Sequence, residues 1–431
     1  MNSERVFRSN WAGFILCFQC MKSRSVPGHS NFSSNRPSLN VRMNSSSSSR
    51  SAVIGMQMRP RPSLAMKLTA SGVISGSGAL GVNGPGTLVL SGANTYTGGT
   101  EIAAGTLSVG SDANLGDASG GLALAGGTLA TTASFTSARA LSLTGTTGGL
   151  DVASGTTLGL SGTVSGTGAL MKAGSGTLTL TGTNTYTGGT QVAAGTLVGD
   201  SGSIQGDLAN AATVEFAQGS DGTFAGAIGG LGGTDGQMVK SGAGTLTLTG
   251  ASSLDWSILA GQLVSTTALF TGDAMVAAGT SLTFDQSFDG TYAGTISGSG
   301  EFLLQGCGAV TLAGDSSGYG GTTTVSGGTL TLNGPLGGTL MLGSGGRLAG
   351  TGTVGDTTVQ SGGTIAPGNS IGTVTVAGDL TFLAGSTYEV ETEPGGSSSD
   401  LIAVTGTATL AGDVLHIGFD GDYAATSSYT I

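Results

Sequence analysis

Along most of this chain apolar and polar residues alternate in short runs. Thr177-Leu178-Thr179-Leu180-Thr181 is typical, and a period of two is the period of a β-strand with one face buried. Thr, Val and Leu dominate the runs, and Gly-Gly, Ser-Gly and Asn-Gly pairs bound them as turn signals. No stretch has the apolar spacing of an amphipathic helix. The tripeptide Gly-Thr-Leu begins at residues 86, 105, 127, 176, 195, 244 and 328, with short intervals of 19, 22 and 19 residues. About twenty residues hold three short strands and three tight turns, which is one coil of a parallel β-helix. That period predicts roughly 18 coils after residue 67, and a stack on the order of 85 Å at the usual strand spacing.

A longer self-similarity supports the same architecture. Gly76–Leu107 recurs without a gap as Gly166–Leu197, with 22 of 32 positions identical, including Asn94–Thr100 (NTYTGGT) as Asn184–Thr190. Weaker copies follow at Lys240–Gly250 and Gly308–Leu330. Repetition of this kind implies stacked units rather than a globular pocket. Sharp corners give the glycines a purpose, and small apolar side chains with few aromatics are expected to fill the narrow interior. The two ends of such a stack need caps, and Met66–Ser75 is a poor one.

Composition sharpens the picture. There are 83 glycines, only 9% charged residues, and a mean hydropathy of +0.23. Glycine without a Gly-X-Y period excludes collagen, and the regular Leu, Val and Ile argue against disorder. Residues 1–67 carry ten Lys and Arg against the single acid Glu4, whereas residues 68–431 carry four basic and twenty-four acidic residues. The composition changes near residue 66, so residues 1–66 read as a disordered basic leader or a mis-started extension. Arg5, Arg8 and the apolar Trp11–Cys20 imitate a signal peptide incompletely. An acidic body would repel phosphate, so nucleic acid is not expected as a partner. Cys17, Cys20 and His29 make half a zinc site with no second Cys pair, and no metal or cofactor is expected. Cys307 alone in the body leaves it without an internal disulfide.

At Gly174–Leu197 (GSGTLTLTGTNTYTGGTQVAAGTL) the chain resembles the passenger-associated β-strand repeat of autotransporters, the type V secreted proteins of Gram-negative bacteria. Gly362–Leu380 (GGTIAPGNSIGTVTVAGDL) is similar to a stretch near the C-terminal end of such passengers, and Ser399–Leu410 continues the likeness. The resemblance covers about residues 72–431. It implies an all-β, right-handed parallel β-helix, with residues 67–361 as repeats and 362–431 as the C-terminal passenger segment. It also implies export through an outer-membrane β-barrel. No segment alternates over a barrel's length, so the translocator is expected elsewhere, with this chain a fragment or a split gene product.

Motifs that could carry chemistry are few. Gly76-x-Gly78-x-x-Gly81 satisfies a dinucleotide pattern, but a strand rather than a helix is predicted after it. Gly314-Asp315-Ser316-Ser317-Gly318 satisfies GxSxG, yet the only histidines are His29 and the distant His416. Gly229–Asp235 nearly reads as a calcium nonapeptide, with the Asp one place late. Glu389, Glu391 and Glu393 alternate along one strand and predict a solvated face. Asp285 and Asp289, four apart beside Phe284, Phe288 and Tyr292, are the one acidic–aromatic cluster that suggests paired carboxylates for glycoside hydrolysis. An exposed loop is the preferred reading of that pair, since no third acid or base is recognisable. The expected function is therefore a non-enzymatic, cell-surface or secreted stalk or adhesin that meets surface glycans or proteins, or self-associates. A polysaccharide-acting β-helix enzyme centred on Asp285 and Asp289 is the alternative, and a decayed gene fragment a third.

Overall fold

The computed structural model describes residues 39–46, 49–56, 67–394 and 398–418. They are all-β apart from one short 3-10 turn at Asp112–Leu115, and the strands of the body stack in parallel as a β-solenoid. The chain divides into two units, Met1–Val214 and Glu215–Ile431. The seven Gly-Thr-Leu marks, and an eighth at Gly338, all fall at the start of a strand, from Thr87–Leu90 and Thr106–Val109 to Gly328–Leu332 and Thr339–Leu342. The Gly supplies the corner, and the Thr-Leu alternation then sends Thr outward and Leu inward.

In the first unit the register makes the coil explicit. Leu68 lies opposite Leu88, Leu88 opposite Leu107, Leu107 opposite Leu129 and Leu129 opposite Leu150, steps of 20, 19, 22 and 21 residues. Each inward Leu meets the equivalent Leu one coil away, and Leu88, Leu107, Leu129 and Leu150 are all fully buried. Burying each is worth about 2 kcal/mol. The unit has three faces. The first holds Leu80–Asn83, Thr100–Ile102, Leu122–Leu124, Leu141–Leu143 and Val164–Gly166. The second runs from Lys67–Ala70 through Thr87–Leu90 to Leu208–Asn210, and the third runs from Phe135–Ser137 through Thr157–Leu160 to Thr196–Gly199.

The ninety-residue repeat does not match a whole number of coils. Thr87–Leu90 lies on the second face, but its counterpart Thr177–Leu180 lies on the third. Likewise Thr100–Ile102 lies on the first face and its counterpart Thr190–Val192 on the second. One repeat therefore advances the chain by whole coils plus one face. The Asn94–Gly98 segment takes the place of a third-face strand in the first copy, and Asn184–Gly188 takes the place of a first-face strand in the second.

Within the stretch read as a leader, Leu39–Ser46 and Ser49–Met56 pair antiparallel, and Ser49–Met56 pairs in parallel with Leu80–Asn83. They extend the first face beyond its first body strand, a cap that the sequence did not reveal. Cys17, Cys20 and His29 lie outside the described residues.

The second unit repeats the scheme with steps of 17 residues (Leu246 to Leu263), 19 (Leu263 to Leu282) and 20 (Leu282 to Phe302). Its interior corrects one expectation. Phe216, Phe224, Trp256, Phe270, Phe284, Tyr292 and Phe302 are buried in it, so aromatics do fill part of this solenoid. They pack edge-on and stacked, as in Phe284–Phe302 at 5.5 Å and Phe216–Trp256 at 5.8 Å between ring centroids.

Candidate functional site

The repeated NTYTGGT segment faces inward and is not a surface turn. Asn94 and Tyr96 are buried, as are Asn184 and Tyr186. The Asn94 side chain accepts from the Ile74 N–H at 2.8 Å and donates to the Asn114 carbonyl at 2.6 Å. Asn184 does the same with Val164 and Ser203, at 2.7 Å each. Because Thr100 donates to the Leu115 carbonyl, the Tyr96 hydroxyl donates to Thr100 Oγ1 at 2.6 Å. Tyr186 and Thr190 repeat this bond at 2.7 Å. Burial pushes the Tyr96 phenol up to about 12. The two glycines that follow are needed for different reasons. A Cβ on Gly98 or Gly188 would strike the backbone of the preceding coil at 2.4 and 2.3 Å, while Gly99 and Gly189 have φ of +82° and +80°. Tyr186→Phe is expected to cost about 1 kcal/mol, read as faster amide exchange around Gln205, whose N–H loses its phenolic acceptor. Unchanged exchange there would contradict this role for the hydroxyl.

Two lysines sit where apolar residues are expected. Lys172 and Lys240 are fully buried. Lys172 Nζ donates to the carbonyls of Ala173, Gly174 and Ala194 at 2.8, 2.7 and 3.0 Å. Lys240 Nζ donates to Ser241, Gly242 and Ala260 at 3.0, 2.8 and 2.8 Å. Burial pushes the Lys172 amine down to about 8, opposed by the Asp151 carboxylate. The folded chain then releases this proton near pH 8, whereas an unfolded lysine keeps it to about pH 10.4. The unfolded state binds more protons across that window, so this group's contribution to folded stability rises with pH there, by at most about 1.4 kcal/mol per unit. Urea midpoints at pH 7.5 and 9.5 should show this rise in the parent protein and lose it in Lys172→Met.

Aspartates at coil corners accept N–H groups from the next coil. Asp255 accepts from Asp273, Asp273 from Thr295, Asp356 from Asp379 and Asp379 from Thr407, at 2.7–2.9 Å. Asp289 belongs to this set, accepting the Ala309 N–H at 2.8 Å. Asp285 is exposed at the end of the strand Ser281–Asp285. The aromatics beside them divide: Phe284 and Tyr292 are interior, their rings 5.1 Å apart, and Phe288 alone is exposed. The structure brings no stacking platform to the two carboxylates.

The other motifs resolve similarly. Gly76–Gly81 leads into the strand Leu80–Asn83, with no helix to meet a pyrophosphate. Ser316 of the GxSxG match is buried, and its hydroxyl accepts the Ile296 N–H at 3.0 Å, the place taken by Asn94 and Asn184 elsewhere. Gly229–Asp235 contains a tight reversal in which Leu231 and Thr234 exchange backbone bonds. Glu389 and Glu391 take outward positions of the strand Thr387–Thr392 but are only partly exposed, whereas Glu393 just beyond it is exposed. Glu389 is ion-paired with Arg347, and Glu391 Oε2 is buried with no hydrogen-bond partner among the described residues. His416 bonds to Thr392 at 2.6 Å. Beside the Arg347–Glu389 pair runs an open groove of about 500 Å³, floored by Gly306, Gly327, Gly345 and Gly362 and bordered by Cys307. Besides the glycines it presents Thr329 and Thr364, and its one Arg and one Glu pair with each other.

The outer faces carry columns of hydroxyl and amide side chains, beside scattered carboxylates and a few exposed apolar residues such as Val73, Leu259 and Leu410. Thr87, Thr106 and Thr128 stack on one face of the first unit, and Thr157, Thr177 and Thr196 on another. In the second unit Thr245 bonds to Gln262, whose amide donates inward to the buried Thr283, and Thr339 donates to Thr322 at 3.0 Å. Among the described residues no group of three or more His, Cys, Asp and Glu could hold a metal ion.

This is a repeat solenoid with polar outer columns and an interior that uses its distinctive residues for its own corners. Four segments, residues 82–109, 170–198, 238–280 and 305–332, match the passenger-associated-transport-repeat family. The chain thus carries the repeats of an autotransporter passenger. Over 97 residues it is also 50% identical to an adhesin of Brucella suis biovar 1 (strain 1330), described as the BmaC autotransporter; the match takes in 22% of this chain and 3% of that protein.

Proposed function

We propose that this chain is a non-enzymatic autotransporter passenger segment, displayed on the cell surface or secreted by a Gram-negative bacterium. On this reading its outward Thr, Ser and Gln columns hold surface glycans, proteins or neighbouring copies, and an outer-membrane barrel carries it out of the cell. One observation supports this most. Asn94, Tyr96, Asn184, Tyr186 and Ser316 are spent on bonds inside the fold, while columns of Thr repeat regularly along the outer faces. The adhesin likeness of the 97-residue segment points the same way. The test presents the full chain on a bacterium through a heterologous barrel, and measures adherence to host cells, binding to a glycan array and cell–cell aggregation. A gain in any of these over the bare barrel is expected. No gain in all three overturns the adhesive reading, and polysaccharide hydrolysis that disappears in Asp285→Asn overturns the non-enzymatic one.

A further inference from the structure

Strands that read Thr-Leu-Thr-Leu have a weakness. Side chains alternate with period two, so sliding one strand by two residues along its neighbour again sets Leu against Leu and Thr against Thr. Thr177–Leu180 against Thr196–Gly199 is such a pair, with Thr177 opposite Thr196, Leu178 opposite Leu197 and Thr179 opposite Val198. Thr245–Leu248 against Gln262–Ser265 is another. Burial of Leu does not distinguish the native register from the slipped one.

Each of these pairs follows a buried lysine. Lys172 precedes Thr177–Leu180, and Lys240 precedes Thr245–Leu248, at the same place in the repeat. Two of the three carbonyls around each ammonium come from its own corner. The third, Ala194 for Lys172 and Ala260 for Lys240, belongs to the next coil. That third bond exists in one register only. A slip by two residues carries the partner carbonyl away and leaves a buried ammonium short of an acceptor, which is costly in a way that misplaced Leu is not. The fold does not need an amine here for its bulk: the equivalent positions of the other two matched repeats are Val82 and Leu304, both buried.

We propose that Lys172 and Lys240 are register pins, interior cations whose function is to exclude the two-residue slip between successive coils. They trade burial of charge for a single pairing, the use of buried polar groups best attested in helical coiled coils.

The experiment reads register directly. In the full chain with its three cysteines replaced by serine, Thr179→Cys with Val198→Cys places thiols on directly opposite positions and reports the native register. Thr179→Cys with Thr196→Cys places them opposite only after the slip by two that sets Leu180 against Leu197, since the native diagonal is too long for a disulfide. Each pair is refolded from urea and oxidised, with Lys172 present and as Lys172→Met. With Lys172, the native pair is expected to cross-link almost fully and the slipped pair below about a tenth of that, by the geometric limit on disulfides. In Lys172→Met the slipped cross-link should rise several-fold while the far-ultraviolet β signal stays. Lys172→Leu, the residue that the repeat itself carries at Leu304, should behave as Lys172→Met does. Native cross-linking alone in both variants overturns the proposal. Loss of β structure in both variants also overturns it, because the amine would then be required for folding and not for the choice of register.

Discussion

Arg139→Ala should open the segment Gly110–Gly121 and cost about 3 kcal/mol, the usual scale for breaking a buried ion pair. The Arg139 side chain is almost wholly buried and pairs with both carboxylate oxygens of Asp112, at 2.9 and 3.1 Å. It also donates to the carbonyls of Asp112, Gly116, Asp117 and Gly120. That segment fills the third-face position of its coil, where regular strand bonds are absent, so one guanidinium supplies the satisfaction that a ladder gives elsewhere. Asp112 keeps some access to water, which holds the loss below the upper end of the range. The check is native-state amide exchange. Protection should fall at Asn94 and Asp117, whose N–H groups bond to Ala113 and Tyr96, and stay unchanged in the second unit. Protection at Asn94 and Asp117 equal to the parent's would mean that the coil backbone, and not Arg139, holds the segment.

Phe284→Ala should be the most damaging single change in the second unit, at about 4 kcal/mol. Phe284 has no exposed surface and meets Phe270, Tyr292 and Phe302 at centroid distances of 6.3, 5.1 and 5.5 Å. These rings come from successive coils, so the cavity would sit at a junction that neither neighbour can close alone. In a solenoid the damage should remain local, because each coil contacts only its neighbours. Limited proteolysis should cut first between residues 270 and 305, with the first unit's exchange pattern intact. If instead the whole chain unfolds in one step at the same urea concentration as the parent, the ring cluster does not carry that junction.

The ladder was legible in the sequence because it is written in the side chains themselves. Gly-Thr-Leu encodes a corner, an outward hydroxyl and an inward Leu, and each instance marks a strand start. The corners were less legible. Tyr96 and Tyr186 are legible as part of a repeat, but their burial is not, since a Tyr among Thr and Gly carries no local sign of it. Its partner Thr100 is four residues on, but the Leu115 carbonyl that fixes the direction of the bond lies in the next coil. Lys172, Lys240 and Arg139 were missed for the same reason. Their partners are mainly backbone carbonyls brought close by coiling, and a carbonyl has no letter in the sequence. Asp289 was noticed for its neighbours Phe284 and Tyr292, yet its work is to accept the Ala309 N–H twenty residues further along. The spacing of roughly one coil between such partners is the signal that could have found them.

The advance of one repeat by whole coils plus one face has a consequence for how the first unit meets its surroundings. The Asn94–Gly98 and Asn184–Gly188 segments, and the loops seated on them, point in different directions about the solenoid axis although their sequences nearly coincide. A broad flat partner that rests on one of them therefore cannot lie in the same plane against the other. Duplicating the sequence has added new directions of approach rather than a second foothold on one side, so in this unit copy number and simultaneous grip are separate quantities.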